Sequence, residues 1–171
     1  MGLLREFLMS ERDEILHNDI RLVAIGDLSR LPEAVREVLD PLRNASSRNG
    51  KMTLALALSY GGREEIAAAA RDLAREVAAG TLDAEQITAA TLGARLPSLS
   101  AGDPDLILRT GGEFRLSNFL LYGAAYAELA FCDVLWPDFG EDDLFAAIAS
   151  YQRRERRFGL VGKKAEPETR V

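Results

Sequence analysis

Between residues 109 and 118 the chain reads Arg-Thr-Gly-Gly-Glu-Phe-Arg-Leu-Ser-Asn. Arg109, Arg115, the hydroxyl of Ser117 and the bare backbone of Gly111-Gly112 fall within a few positions of one another. A guanidinium is a planar fork that donates to two phosphate oxygens at once, and glycine lets backbone N–H groups approach an anion closely. The set therefore suits a phosphate or diphosphate. A helix opening near Ser117 would add the N–H groups of its first turn. A second reading stays open: Gly111-Gly112 is a plain turn, and the arginines pair with acids such as Glu113.

Glu128 stands in the apolar stretch 120–131, where a carboxylate is costly unless it is paired or bound to metal. It reads either as an oxygen ligand for Mg²⁺, a hard ion that favours carboxylates and substrate phosphates, or as a buried partner for Arg109 or Arg115. The run Arg153-Arg154-Glu155-Arg156-Arg157-Phe158-Gly159 is the strongly basic stretch. It is either a solvated helix face or an anion clamp, in this chain or reaching into a partner's site. His17, the single histidine, has no triad or metal partner in view and reads as a surface helix residue. Ser117 lacks the G-x-S-x-G surroundings of a nucleophile elbow, and no G-K-[ST] follows Gly111-Gly112 as a nucleotide P-loop requires. Cys132, the single cysteine, excludes an intramolecular disulfide or a cysteine-rich zinc site and reads as a small core residue. Trp136-Pro137-Asp138-Phe139 reads as a packed turn.

The elements that must position these residues alternate. Leu3, Leu4, Phe7, Leu8, Ile15 and Leu16 recur at helical spacing, predicting an amphipathic helix over 2–17. Arg21–Ile25 is a short β run stopped by Gly26-Asp27. Leu31-Pro32-Glu33 opens a helix with Val35, Val38, Leu39 and Leu42 on one face. Met52–Leu58 is apolar throughout, as a strand buried on both faces would be. Arg63–Ala79 predicts a helix closed by Gly80, Asp83 caps another reaching Leu96, Leu106–Leu108 is a strand, and Glu141–Phe158 the last helix. This alternation predicts an α/β fold, a parallel sheet flanked by helices, in one domain over 1–159 with a flexible tail over 160–171. Ligands of such sheets gather at the carboxyl ends of strands, here Gly26-Asp27, Ser59-Tyr60-Gly61-Gly62-Arg63 and Arg109–Glu113.

The 171 residues are 47% apolar and 28% charged, an ordinary globular composition that excludes disordered or low-complexity classes. Lys and Arg number 21 against 27 Asp and Glu, a net charge of −6 that argues against a nucleic-acid partner. Apolar runs are too short to span a bilayer, and acids follow the N-terminus at once, so a cytoplasmic setting is expected.

Taken together, these segments resemble the cis-prenyltransferases, the isoprenyl or undecaprenyl diphosphate synthases. The resemblance rests on Asp105–Arg109 running into T-G-G-E-F-R-L-S-N-F-L-L, on Tyr126-Ala127-Glu128-Leu129, on Asp133–Phe139, and on Arg154-Glu155-Arg156-Arg157-Phe158-Gly159. Upstream, Arg21-Leu22, Ile25-Gly26-Asp27 and Tyr60–Ile66 fit the same order, so the match covers about Leu3 to Gly159. It implies a parallel-sheet α/β dimer that condenses isopentenyl diphosphate with an allylic diphosphate, releasing diphosphate and lengthening a cis-polyprenyl chain. By the motif match, Arg109, Arg115 and Ser117 bind the diphosphate of isopentenyl diphosphate, and Glu128 helps to hold Mg²⁺. Arg157 and Gly159 fit an R-x-G that reaches toward the neighbouring subunit's phosphates. The family's H-x-x-x-M-D-G-N-x-R-W-A segment and its N-W-x-R-P-like region do not occur here. An N-terminally truncated chain is therefore expected, with the catalytic Asp of that segment missing and no catalytic residue assigned. The alternative is a non-catalytic subunit, or a remnant that binds isopentenyl diphosphate and pairs with a catalytic chain. Peripheral membrane contact is expected only because long prenyl products are lipids.

Overall fold

The computed structural model describes residues 2–154, which fall into two compact units. Arg157, Gly159, the end of the expected last helix and the tail 160–171 lie outside the described residues.

The first unit runs to Asp103 and takes in Leu116–Ala125 as well. It opens with α1 (Gly2–Ser10) and α2 (Arg12–His17), where one continuous helix was expected. At the break the Ser10 hydroxyl turns back to donate to Phe7 O at 3.0 Å, a local bond that competes with helix propagation. Of the expected apolar face, Leu8 and Ile15 are buried while Leu3 and Phe7 are exposed. Strand β1 (Ile20–Ile25) follows, then α3 (Glu33–Ala45), whose Pro32 forms the N-cap rather than the first turn. Strand β2 (Met52–Ala57) lies parallel to β1, with Leu22 opposite Leu54 and Ala24 opposite Leu56. Leu8, Ile15, Leu22, Leu31, Val35, Leu39 and Leu42 form the buried cluster, with Leu54, Leu56 and Leu58 packed on it. The opposite side chains of β2, Ala55 and Ala57, are exposed, so this strand is not buried on both faces as its composition suggested.

The outer edge of β1 is closed by side chains. Ser46, fully buried at the end of α3, accepts the N–H of Leu22 at 3.1 Å and donates to Leu42 O at 2.8 Å. Asn49 donates its side-chain amide to Ile20 O at 2.9 Å. Beyond β2 come α4 (Gly62–Ala78) and the short α5 (Ala89–Gly93). The helix expected from Asp83 to Leu96 is thus interrupted. Asp83 does cap a turn, over Ala84–Gln86, but Thr88 then turns extended and caps α5 by accepting Thr91 N–H at 3.2 Å.

The second unit takes Pro104–Arg115 and the chain from Tyr126. Here β3 (Leu106–Arg109) and β4 (Glu128–Phe131) pair in parallel, Arg109 opposite Phe131, and α6 (Glu141–Gln152) follows. The 136–139 segment makes a turn as expected, but Trp136 is exposed and stacks on Phe139 with ring centroids 6.0 Å apart. Cys132 is half-buried rather than a core residue.

Candidate functional site

In the second unit, Arg109 ends β3 and launches a tight loop. Gly111 and Gly112 both take left-handed conformations, φ +79° and +69°, which a residue with Cβ adopts only under strain. That curl aims their N–H groups at the β4 side: Gly111 donates to Val134 O at 2.8 Å and Gly112 to Cys132 O at 3.0 Å. The guanidinium of Arg109 reaches forward to donate to Arg115 O, so the two loop arginines are brought together. Arg115 is exposed and its Nε donates to a Glu113 carboxylate oxygen at 2.6 Å. The turn with an arginine–Glu113 pair is therefore the geometry present. It holds one guanidinium of the loop at the surface, balanced by a carboxylate that an incoming anion would have to displace.

Glu128 opens β4, its N–H donating to Asp105 O at 2.9 Å. Its carboxylate is half-buried, and its ion pair is with Arg154 at 2.9 Å, not with Arg109 or Arg115 as one reading expected. Arg154 also donates to Leu129 O at 2.9 Å, so this guanidinium clamps the start of β4. Among the described residues no group of three or more His, Cys, Asp or Glu could hold a metal ion. A single carboxylate still fits Mg²⁺, which keeps its waters and is commonly held by one or two carboxylates together with substrate phosphates.

Ser117 belongs to the first unit, exposed and at φ +49°. No helix starts there: Asn118 and Leu120 are also left-handed, at φ +65° and +47°, so the N–H array expected of a helix terminus is absent. This stretch instead packs against the Tyr60–Arg63 motif, with Tyr60 and Phe119 meeting edge to face at 5.9 Å. Asn118 O accepts Gly62 N–H at 2.7 Å, its side-chain oxygen accepts Arg63 N–H at 2.9 Å, and its amide donates to Glu64 at 2.9 Å. The last bond holds the Glu64 carboxyl below its ordinary value.

Where β1 and β2 end, a cleft of about 400 Å³ opens, lined by Asp27, Arg30, Tyr60, Glu65, Asp72 and Arg95 among others. Two of the three polar strand ends picked out in the sequence meet in it. Tyr60 donates to Glu65 at 2.7 Å, and Glu65 also accepts from the N–H and hydroxyl of Ser98 at 2.8 and 2.7 Å. Burial first, and then that bond to a carboxylate, push the Tyr60 phenol up to about 12. The parts played by Asn118, Glu65 and Arg154 were missed in the sequence. For Asn118 there was one signal: Gly61-Gly62 at a helix start offers no side-chain cap, so the first N–H groups must find an acceptor elsewhere.

Parallel strands flanked by helices, with an arginine- and glycine-rich loop at the carboxyl end of β3, define an α/β protein. The undecaprenyl diphosphate synthase family of prenyltransferases matches residues 1–159, and the chain belongs to that enzyme family. An isoprenyl transferase of Porphyromonas gingivalis is 49% identical over 164 residues, covering 96% of this chain and 65% of that protein. One from Chlorobaculum tepidum is 44% identical over 164 residues, covering 96% of this chain and 62% of that protein. The chain thus spans just under two thirds of the length of these curated relatives. Among solved structures, lavandulyl diphosphate synthase from Lavandula x intermedia, in complex with dimethylallyl diphosphate, superimposes with a TM-score of 0.90 at 42% identity, covering 93% of this chain and 69% of that one. A probable undecaprenyl diphosphate synthase from Campylobacter jejuni gives 0.80 at 35% identity, covering 92% and 72%. Among the described residues no helix is long and apolar enough to cross a membrane.

Proposed function

We propose that the protein is a prenyl transferase condensing isopentenyl diphosphate with an allylic diphosphate to form a cis-polyprenyl diphosphate. The observation that carries this reading is the loop at the end of β3, with Arg115 exposed and Arg109 bonded to the Arg115 carbonyl across two left-handed glycines. In it the diphosphate of isopentenyl diphosphate takes the Arg115 guanidinium from Glu113, while Arg109 keeps the loop closed and adds its charge. Ser117 supplies a hydroxyl. The chemistry at the protein is then positioning and charge neutralisation, with no covalent intermediate on the chain. Mg²⁺, when bound, would neutralise phosphate oxygens, and Glu128 is the residue to hold it, exchanging its bond to Arg154 for the ion. Arg157 and Gly159, outside the described residues, are proposed to reach a second subunit's phosphates in a homodimer, with residues 1–159 as one domain.

Titration calorimetry of the chain with isopentenyl diphosphate and Mg²⁺ tests this. Arg109→Ala and Arg115→Ala should each cost ~1.5–3 kcal/mol of binding, the scale of a charge-assisted hydrogen bond. Unchanged affinity in both variants would sink the site. Glu128→Gln should lower affinity only when Mg²⁺ is present, and an equal loss without the ion would give Glu128 a structural role through Arg154. Binding without product from the two diphosphates would favour the binding-subunit reading.

A further inference from the structure

Three non-glycine residues within four positions, Ser117, Asn118 and Leu120, are held left-handed. Such backbone persists only where its surroundings over-determine it. Here they do, through Asn118. Helix α4 begins at Gly62 after Gly61, and neither glycine offers a side-chain oxygen to the unpaired N–H groups of its first turn. Asn118 supplies both acceptors from 55 residues further along the chain: its carbonyl to Gly62 N–H and its side-chain oxygen to Arg63 N–H. Its amide nitrogen then donates to Glu64, so one orientation of the side chain satisfies both of its bonds while the main-chain carbonyl makes the third. The approach is close. A Cβ on Gly62 would stand 3.0 Å from Leu121 Cγ and 3.2 Å from Asn118 O, which leaves room for glycine alone without a shift.

We infer that Asn118 is a positioning residue: by capping α4 at a distance in sequence, it fixes the left-handed backbone of Ser117 and so the place of that hydroxyl at the diphosphate. This deepens the function proposed above and rests on Ser117 binding there. The helix start and the stretch from Ser117 to Leu120 become one piece, and whatever loosens Asn118 from Arg63 and Glu64 moves Ser117.

A bond that runs from Asn118 to Glu64 can be reversed, which separates positioning from mere folding. Asn118→Asp opposes two carboxylates, while Asn118→Asp with Glu64→Gln restores the bond with donor and acceptor exchanged. In calorimetry of the full chain at neutral pH with Mg²⁺, Asn118→Asp should weaken isopentenyl diphosphate about tenfold, the loss of roughly one charge-assisted hydrogen bond. The double variant should return to within about threefold of the parent, the signature of two coupled sites. Affinity unchanged in Asn118→Asp, or a double variant as weak as the single one, overturns the proposal. Amide exchange supplies a reading free of ligand: in Asn118→Ala the Arg63 N–H should exchange faster and the Ser117 amide resonance should shift. An unmoved Ser117 resonance overturns the latch itself. If the parent chain does not bind isopentenyl diphosphate, the substrate role of Ser117 falls along with the function proposed, and the exchange data still show whether Asn118 holds the loop.

Discussion

Tyr60 keeps its proton where an ordinary phenol gives it up. Unfolded, it ionises near the usual value of about 10, and in the fold burial and the bond to Glu65 raise it to about 12. Across that window the unfolded chain releases a proton that the folded chain retains. Its contribution to stability is therefore whole below about pH 10 and is lost as pH climbs toward 12. Tyr60→Phe should flatten the fall of the denaturation midpoint over this window; a slope as steep as the parent's would assign the effect to the other tyrosines. Of the residues that carry the proposed chemistry, the arginines were legible as a pair because forks and glycines sit close in sequence. The pairing of a loop arginine with Glu113 was one of two readings and the bond of Arg154 to Glu128 was in neither, since the choice between a phosphate and a carboxylate partner depends on which side chain the backbone brings alongside.

At the scale of elements, Ser46 shows how much a strand can depend on one side chain. Ser46→Ala removes the acceptor of Leu22 N–H in a site closed to water. An unpaired buried donor costs about 1–3 kcal/mol. Chemical denaturation should show a loss of that size, and a loss near zero would mean that water or Asn49 takes over the bond. Strands β1, β2 and β3 could be read from their apolar runs, and α3 and α4 from helical spacing. Strand β4 was missed because four residues headed by a glutamate look like neither alternation nor a buried run. The interruption after Asp83 was missed because a β-branched pair, Ile87-Thr88, fits a helix poorly while its second member makes a good cap, and spacing alone weighs neither.

For the whole molecule, the buried cluster around Leu39 is built before residue 60, while the residues of the proposed chemistry all come after it. Leu39, with no exposed surface, sits among Leu8, Leu22, Val35 and Leu42 in that core. Leu39→Ala should cost about 2–5 kcal/mol of unfolding free energy, the usual range for a cavity of this kind. A smaller loss would mean that α1 and α3 can close on the gap. The parallel α/β class followed from alternation alone, whereas the interlock of two motifs far apart in sequence had no signature beyond a pair of glycines. The closed edge of β1 has a consequence for association. A foreign strand, from a second copy or a misfolded neighbour, grows onto a sheet through vacant N–H and C=O groups. On this side Leu22 N–H and Ile20 O are already taken by Ser46 and Asn49. Fibril-like stacking of the protein along β1 must therefore wait until two side chains let go.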